Sequence, residues 1–406
     1  MILLQLIFWI ALLLIAHSYI FFPLILKILA GNKTAKAKPK EKKLSDPPLV
    51  SVLIAAYNEE EVIKEKITSV LFSDYPRDKM EIIVGSDAST DQTNDILEKI
   101  QQEENQLSFI PFTGRTGKPG IINHLATLAR GEILVITDAN VMLEKDSLRE
   151  LAGSFQNPST GLVDTRMINT QLMKEGISHQ EKFYINREVR IKHHESLLWG
   201  SMMGPFGGCY AVRKELYQPV PEHFLVDDFF VNMTVLRQGF RCESNLDARV
   251  SEDAGNDHRE EFRRKKRISA GNFQNLVRFS PLLLSRKKGV AFCFFSHKTL
   301  RWITPLLVGL SLGASMGLGL SEGTIAGPLS WMKEFYLVLA LSQILFLLTP
   351  VIDHLLRIIR IHILPLRFVS HFVLMNMALL AGFFRFLRGI KSNVWKPTKR
   401  NQGTPE

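Results

Sequence analysis

The chain has only three cysteines, Cys209, Cys242 and Cys293, far apart and with no Cys-x-x-Cys among them. That spacing excludes a cysteine-based zinc site and a disulfide framework, and it fits a reduced, cytosol-facing catalytic region. No Gly-x-Gly-x-x-Gly follows the first strand-like run, which argues against a dinucleotide-dependent oxidoreductase, and Gly114–Lys118 lacks the Walker spacing. Acidic residues are in deficit, 40 against 50 basic ones, for a formal net charge of +10. Charge is nearly absent from the two apolar ends. Much of the basic excess lies beside them, at Lys33, Lys36, Lys38, Lys40, Lys42 and Lys43. Lysines placed there face anionic lipid, so a lipid bilayer is an expected partner and nucleic acid is not.

Ile2–Leu29 is interrupted only by Gln5, His17, Ser18 and Lys27 among otherwise apolar residues. It exceeds the about 20 residues that a membrane span needs and lacks the basic start and cleavage site of a signal peptide. Residues 1–30 are therefore expected to form an uncleaved transmembrane helix, with the lysines after it on the cytosolic side. Residues 31–47 are expected to be a basic Lys/Pro/Ala linker. Trp302–Leu320, Tyr336–Val351 and Phe368–Phe384 predict about three more spans within a membrane region of residues 279–400. Leu355–Pro365, with Arg357, Arg360 and His362, and Phe279–Phe295 are expected to be interfacial segments. Three such spans would leave the basic stretch Arg385–Arg400 outside, against the positive-inside rule.

Between the ends the pattern is α/β. Leu49–Ala55, Met80–Val84, Leu107–Pro111 and Ile133–Thr137 are expected strands. Helices are expected from Tyr57 to about Phe72, from Asp91 to Glu103 and from Pro119 to Ala129. Such alternation predicts a doubly wound sheet. Gly161–Met167 is expected as an edge strand, Ile177–Leu198 as a long helix and Gly200–Tyr210 as a glycine-rich loop with a short strand. Asp227–Gln238 is an expected helix closed by Gly239, and Glu260–Phe279 an expected basic helix.

Ligands of open α/β sheets gather at the carboxyl ends of the strands, and five strand-end or helix-start stretches carry suitable side chains. Tyr57 could stack on a base, and Glu59 could receive donors from a nucleobase or ribose, although this segment could equally cap a helix. Asp87 could accept from a base or ribose hydroxyl. Asp138, with Asn140 two residues on, could hold a hard cation against a diphosphate; a turn followed by a helix cap is the plainer alternative. Lys118, at a helix start, could touch a phosphate or sugar. Asp227 and Asp228 open a helix, where the dipole favours acids; adjacent carboxylates also raise one another's pKa, as a general base requires. Arg263–Arg267 is a basic run that could neutralise a diphosphate or simply be solvated.

In this order the motifs resemble the inverting family 2 glycosyltransferases with a GT-A domain in a membrane protein, the group of cellulose-, hyaluronan- and poly-N-acetylglucosamine-synthase-like enzymes. Ala55-Ala56-Tyr57-Asn58-Glu59-Glu60 is similar to the family's Pro-Ala-Tyr-Asn-Glu, and Ser86-Asp87-Ala88-Ser89-Thr90-Asp91 to its Asp-Asp-Gly-Ser-Thr-Asp. Gly117-Lys118 with Asn123 resembles its Gly-Lys…Asn helix, and Asp138-Ala139-Asn140 stands at its Asp-x-Asp position. Gly204–Tyr210 stands at its acceptor loop. Asp227-Asp228 resembles its Glu-Asp pair, and Arg264–Ile268 stands at Gln-x-x-Arg-Trp.

The resemblance implies a GT-A nucleotide-diphospho-sugar transferase domain over residues 48–278, a doubly wound mixed α/β sheet, cytosolic and flanked by transmembrane helices in an integral membrane protein of the bacterial inner membrane. It implies Asp228 as catalytic base and Tyr57, Glu59, Asp87, Lys118, Asp138, Arg264 and Arg267 as residues binding a nucleotide-sugar donor, expected to be a UDP-sugar. Gly207, Gly208 and Asp227 would lie on the side of a lipid or glycan acceptor, and Asp138 with Asn140 would hold Mg2+ or Mn2+. Two departures stand out. Asn140 replaces the second acid of the metal motif, and Ile268 replaces the tryptophan that offers processive synthases an acceptor platform. A single addition is therefore expected, with a processive polysaccharide synthase and a catalytically silent membrane subunit as the competing expectations.

Overall fold

The computed structural model describes residues 1–34, 46–170, 178–253, 258–321, 331–390 and 393. Most of the expected linker and of the basic C-terminal stretch lies outside the described residues. The chain divides into two units. A helical unit takes Met1–Ile25, Asp257–Phe273 and Phe295–Arg388, and an α/β unit takes Leu26–Asn256, Gln274–Phe294 and Gly389–Glu406.

The chain starts with α1 (Ile2–Ala16), a π-helical turn at His17–Phe21 and α2 (Phe22–Thr34). The α/β unit then runs β1 (Val50–Ala56), α3 (Ile63–Leu71), β2 (Met80–Ser86), α4 (Thr93–Glu103), β3 (Leu107–Pro111), α5 (Lys118–Leu128) and β4 (Ile133–Asp138). It continues through β5 (Met142–Leu143), α6 (Ser147–Ser154), β6 (Thr160–Thr170), α7 (Ser178–Trp199), β7 (Cys209–Arg213), α8 (Asp227–Arg237) and β8 (Arg241–Asp253). Helix α9 (His258–Phe279) follows, its residues through Phe273 belonging to the helical unit and those from Gln274 on to the α/β unit. All eight strands form one sheet in the order β3-β2-β1-β4-β7-β6-β8-β5.

The first four strands are parallel because helices return the chain across the sheet faces, and the runs of Val, Ile and Leu in β1, β2 and β4 are buried on both faces, while β3 is half-exposed. Val50, Val52 and Ile54 of β1 pack with Ile63, Ile67 and Val70 of α3 in one core. Burying such a side chain contributes about 1.5–3 kcal/mol. Register then decides where chemistry can occur. Ala56 stands opposite Ser86, and Ala55 stands opposite Asp138. The residues that follow β1 and β2, Tyr57 and Asp87, therefore leave the sheet at the same edge as Asp138.

Three expectations need correction, and three elements were not foreseen. The strand at Gly161–Met167 is not an edge: β6 lies between β7 and β8, antiparallel to the first and parallel to the second. The helix expected from Tyr57 begins only at Ile63, because Asn58 takes a left-handed φ of 52° and the chain turns before it winds. Strands β5 and β8 and helix α6 belong to the fold although no clear period announces them. Leu355–Pro365 is not one amphipathic helix, as the account of the helical unit explains.

Helix α10 (Lys288–Cys293), still within the α/β unit, the π-helical stretch Phe294–Thr299 and α11 (Leu300–Gly319) of the helical unit follow one another without a break. Then come α12 (Trp331–Leu347), α13 (Thr349–Ile358) and α14 (Leu364–Leu387). Phe8 of α1 packs with Ala314 and Leu318 of α11 and Tyr336 of α12. Large apolar side chains such as Leu3, Leu6, Leu13, Val338, Leu341 and Leu345 stay exposed, as lipid-facing helices require. Among the described residues, Ile2–Gly31, Lys288–Gly319 and Leu364–Leu387 are long and apolar enough to cross a membrane, and α12 with α13, bent by 48°, would make a fourth span. Helix α13 stops at Ile358, and Arg360 takes φ 61° before α14 starts at Leu364, so Arg357 and His362 do not share a helix.

Candidate active site

The site is built from the loops at the carboxyl edge of β1, β2 and β4. The turns after β1 and β2 are tied together by side chains. Asn58 Oδ1 accepts from the Thr90 N–H at 2.8 Å, the Asn58 N–H donates to Ser89 Oγ at 3.1 Å, and the Glu59 N–H donates to Thr93 Oγ1 at 2.9 Å. Asp91 accepts from the N–H groups of Thr93 (3.0 Å) and Glu60 (3.1 Å). Ala88 sits at φ 56°, where an L side chain is strained and glycine is at ease. Local strain of this kind clusters at functional loops.

Asp87 is only 1 % exposed. Its carboxylate accepts from Arg115 Nε (3.0 Å), the Thr116 N–H (2.5 Å) and the Gly117 N–H (3.1 Å). The peptide N–H groups of the Arg115–Gly117 loop therefore point at an acid of the protein itself, not outward as a phosphate cradle. The Arg115 guanidinium lies 3.2 Å from the centre of the Tyr57 ring, so one face of that ring is already covered. Gly117, at φ 81°, touches the amide of Asn393, a buried residue from beyond the last helix: a Cβ there would stand 2.4 Å from Asn393 Oδ1.

Gly117 caps α5, and the next residue reaches across the sheet edge. Lys118 Nζ donates to Asp138 Oδ1 at 2.5 Å and to the Gly207 carbonyl at 3.2 Å, and it stands 3.8 Å from Asp227 Oδ2. Burial alone would lower the Lys118 pKa, but Asp138 and Asp227 outweigh it and hold the ammonium charged well above its ordinary range. Beneath the site, fully buried Lys66 of α3 donates to Thr137 Oγ1 at 2.8 Å and to the Val141 carbonyl, bracketing the turn that carries Asp138 and Asn140. Burial pushes the Lys66 pKa down to about 8, against the opposing pull of Cys209 and Asp138.

Asp228 is half-buried at the start of α8. Desolvation first, then the neighbouring Asp227 and more distant Asp138, push its carboxyl up to about 7, while Lys118 and the Phe229 N–H pull it down. Gly207, at φ 81°, passes so close that a Cβ would stand 2.6 Å from Asp228 Oδ2. The Gly208 carbonyl accepts from the Asp138 N–H at 2.9 Å and from Thr137 Oγ1 at 3.0 Å. Lys118, Asp138, Gly207, Gly208, Asp227 and Asp228 thus form one cluster, and Tyr57, Asp87 and Arg115 form a second at the neighbouring loops.

A divalent cation fits this donor set. Among the described residues no three carboxylate, imidazole or thiol side chains converge on one point. Mg2+ does not need them to, because it is commonly held by one or two carboxylates and completed by substrate phosphates and water. The Asp138 side chain is 35 % exposed and already carries one positive group, the Lys118 ammonium. Asn140 Nδ2 lies 3.4 Å from Glu252 Oε1, so the amide can turn only a neutral oxygen toward a metal.

The remaining expected residues are placed differently. Glu59 lies in the turn after β1, its carbonyl accepting from the Val62 (3.0 Å) and Ile63 (2.9 Å) N–H groups. Arg264 and Arg267 lie on α9 within the helical unit, and Arg264 Nη1 stands 3.4 Å from Glu261 Oε2. Sequence reasoning missed Arg115, Lys66 and Asn393. Only Arg115 carried a signal, its place in the loop before Lys118; the other two depend on long-range contacts.

Residues 51–220 match the family described as Glycosyl transferase family 2. A β-monoglucosyldiacylglycerol synthase from a Nostoc species is 24% identical over 248 residues, 60% of this chain and 53% of that protein. Its namesake from a Synechocystis species is 33% identical over 121 residues, 29% of this chain and 25% of that protein. The chain thus spans at most about half the length of these curated relatives. A mannosyltransferase from Pyrobaculum calidifontis, solved with GDP-Man and Mn2+, superposes with a TM-score of 0.65 at 22% identity, covering 94% of this chain and 99% of that one. The fold is GT-A, and residues 51–220 are similar to the family 2 glycosyltransferases.

Proposed function

Starting from the similarity to family 2 glycosyltransferases, we propose that this chain is an inverting glycosyltransferase. It moves one sugar from a nucleoside diphosphate donor, most simply a UDP-sugar, to a lipid or glycan acceptor at the cytosolic face of a bacterial inner membrane. The observation that carries the reading is the meeting of Lys118 with Asp138 and Asp227 beside Asp228, whose carboxyl is held near neutrality against the Gly207 backbone.

A carboxylate with a pKa near 7 is matched to general base work at physiological pH. Asp228 takes the proton of the acceptor hydroxyl as that oxygen attacks the anomeric carbon. The bond from that carbon to the diphosphate oxygen breaks, and the diphosphate leaves with the electron pair. Asp138, with the neutral oxygen of Asn140, would hold Mg2+ or Mn2+, which supplies Lewis-acid stabilisation to the leaving diphosphate. Lys118 adds a fixed positive charge at the same edge. Asp87 shapes the nucleotide wall through the Arg115–Gly117 loop, and Tyr57 with Glu59 borders it. Arg264 and Arg267 are candidates for the diphosphate on motif resemblance alone.

The relatives named as glucosyldiacylglycerol synthases and the apolar helices support a lipid acceptor. Ile268 in place of an aromatic platform supports a single addition over processive synthesis. The test is to incubate the purified chain with a panel of nucleotide sugars, Mg2+ or Mn2+ and membrane lipid, and to read products by mass. One added sugar supports the proposal, a polymer ladder supports a synthase, and no transfer or donor hydrolysis would leave only a silent subunit. In the same assay Asp138→Ala should abolish metal-dependent donor binding, and Asn140→Ala should only weaken it.

A further inference from the structure

The loop from Gly200 to Gly208 forms no regular element beyond a single bridge from Ser201 to Cys242, yet buried polar side chains pin its backbone. Asn232 Nδ2 donates to the Met202 carbonyl at 3.0 Å, and the Met203 N–H donates to Glu195 Oε2 at 3.0 Å. The Phe206 N–H donates to Asp164 Oδ1 at 3.2 Å. Asp164 of β6 is itself ion-paired with Lys192 of α7 at 2.5 Å, with 1 % and 3 % of the two side chains exposed. Lys192 Nζ also lies 3.5 Å from the centre of the Phe206 ring. Phe206 is thus gripped twice by one ion pair, at its backbone and at its ring. The next residue is Gly207, where a Cβ would stand 2.6 Å from Asp228 Oδ2 and whose carbonyl accepts from Lys118.

A sealed ion pair is an inefficient way to stabilise a core. Desolvation offsets most of the attraction, and apolar residues of similar volume often leave a fold as stable or more so. Its position gives it a different use. We propose that the Asp164–Lys192 pair is a positioning device for Asp228, fixing Phe206 so that Gly207 stays pressed against the carboxylate that takes the acceptor proton. The inference rests on the reading of Asp228 as base. The charged groups around Asp228 are Asp227 on its own helix, Lys118 from α5 and Asp138 from β4. The pair touches none of these directly and acts through the loop.

The test uses the full-length chain in detergent, with Asp164→Leu and Lys192→Met combined. Misplacing a reacting group by about 1 Å can cost about 10²-fold in rate. The double variant is expected to melt close to the wild type and keep its donor KM, yet lose kcat on that scale and shift the midpoint of its pH–rate profile. Wild-type kcat and midpoint in a folded double variant would overturn the proposal and leave the pair a structural filler. Should the double variant not fold, Asp164→Asn keeps an acceptor for the Phe206 N–H but removes the charge. A smaller kcat loss with a displaced midpoint is expected there, and an unchanged profile would overturn the proposal equally. If wild type and Asp228→Asn transfer sugar equally well, the failure belongs to the base assignment and the pair loses its role with it.

Discussion

At the scale of single residues, the account turns on Asp228. General base catalysis is typically worth about 10²–10⁴-fold. Asp228→Asn should lower kcat by that order while donor affinity, measured by calorimetry, stays near wild type. Retained turnover would show that another group takes the proton. The pH dependence follows from the raised pKa, about 7. Only the ionised carboxylate can accept a proton, so kcat should climb about tenfold per pH unit below 7 and level off above it. Lys118 lowers the Asp228 pKa, so Lys118→Met should move that midpoint to higher pH, and a shift to lower pH would contradict the electrostatic picture. The acids themselves were legible in the sequence, because strand ends and helix starts are where an α/β sheet exposes carboxylates. Their partners were not. Asp87 looked like a free nucleotide-binding acid, and the structure fills it with donors from Arg115, Thr116 and Gly117, close in sequence to Lys118 but far from Asp87.

At the scale of elements, β1 to β4 were legible because each is a short apolar run bounded by turn residues, and their observed ends fall close to the expected ones. Strand β8 was not, because its sequence Arg241–Asp253 is rich in polar residues and its alternation breaks near Asn245. The pairing of β6 with β8 shifts register between Asp164 and Arg166, so no constant period runs along it. Without β8, β6 looks like an edge. The loops carry the consequence for function. Asp87 accepts from three donors of the Arg115–Gly117 loop, and removing it costs the loop all three hydrogen bonds. Asp87→Ala should therefore raise the donor KM at least about tenfold, the factor lost with roughly 1.4 kcal/mol of charge-assisted hydrogen bonding, and affect kcat less. A donor KM at the wild-type level would mean that the loop keeps its shape without Asp87.

At the scale of the whole molecule, the apolar helices were readable from composition, but the basic stretch Asp257–Phe273, expected inside the domain of residues 48–278, falls in the helical unit. The bounds of the candidate spans were not readable. Composition cannot show that α12 and α13 are one apolar stretch bent by 48°, or that α10, a π-helical turn and α11 run on as one long helix. Nor does composition reveal that β7 reverses direction beside β4 and turns a parallel sheet into a mixed one. That reversal brings Gly207 and Gly208 back beside Asp138.

The central claim is a one-step displacement at the anomeric carbon, with Asp228 as base. Its most direct test is the stereochemistry of the product, read by proton NMR from an α-linked nucleoside diphosphate sugar. The account predicts a β-linked product from the first turnover. An α-linked product would contradict it.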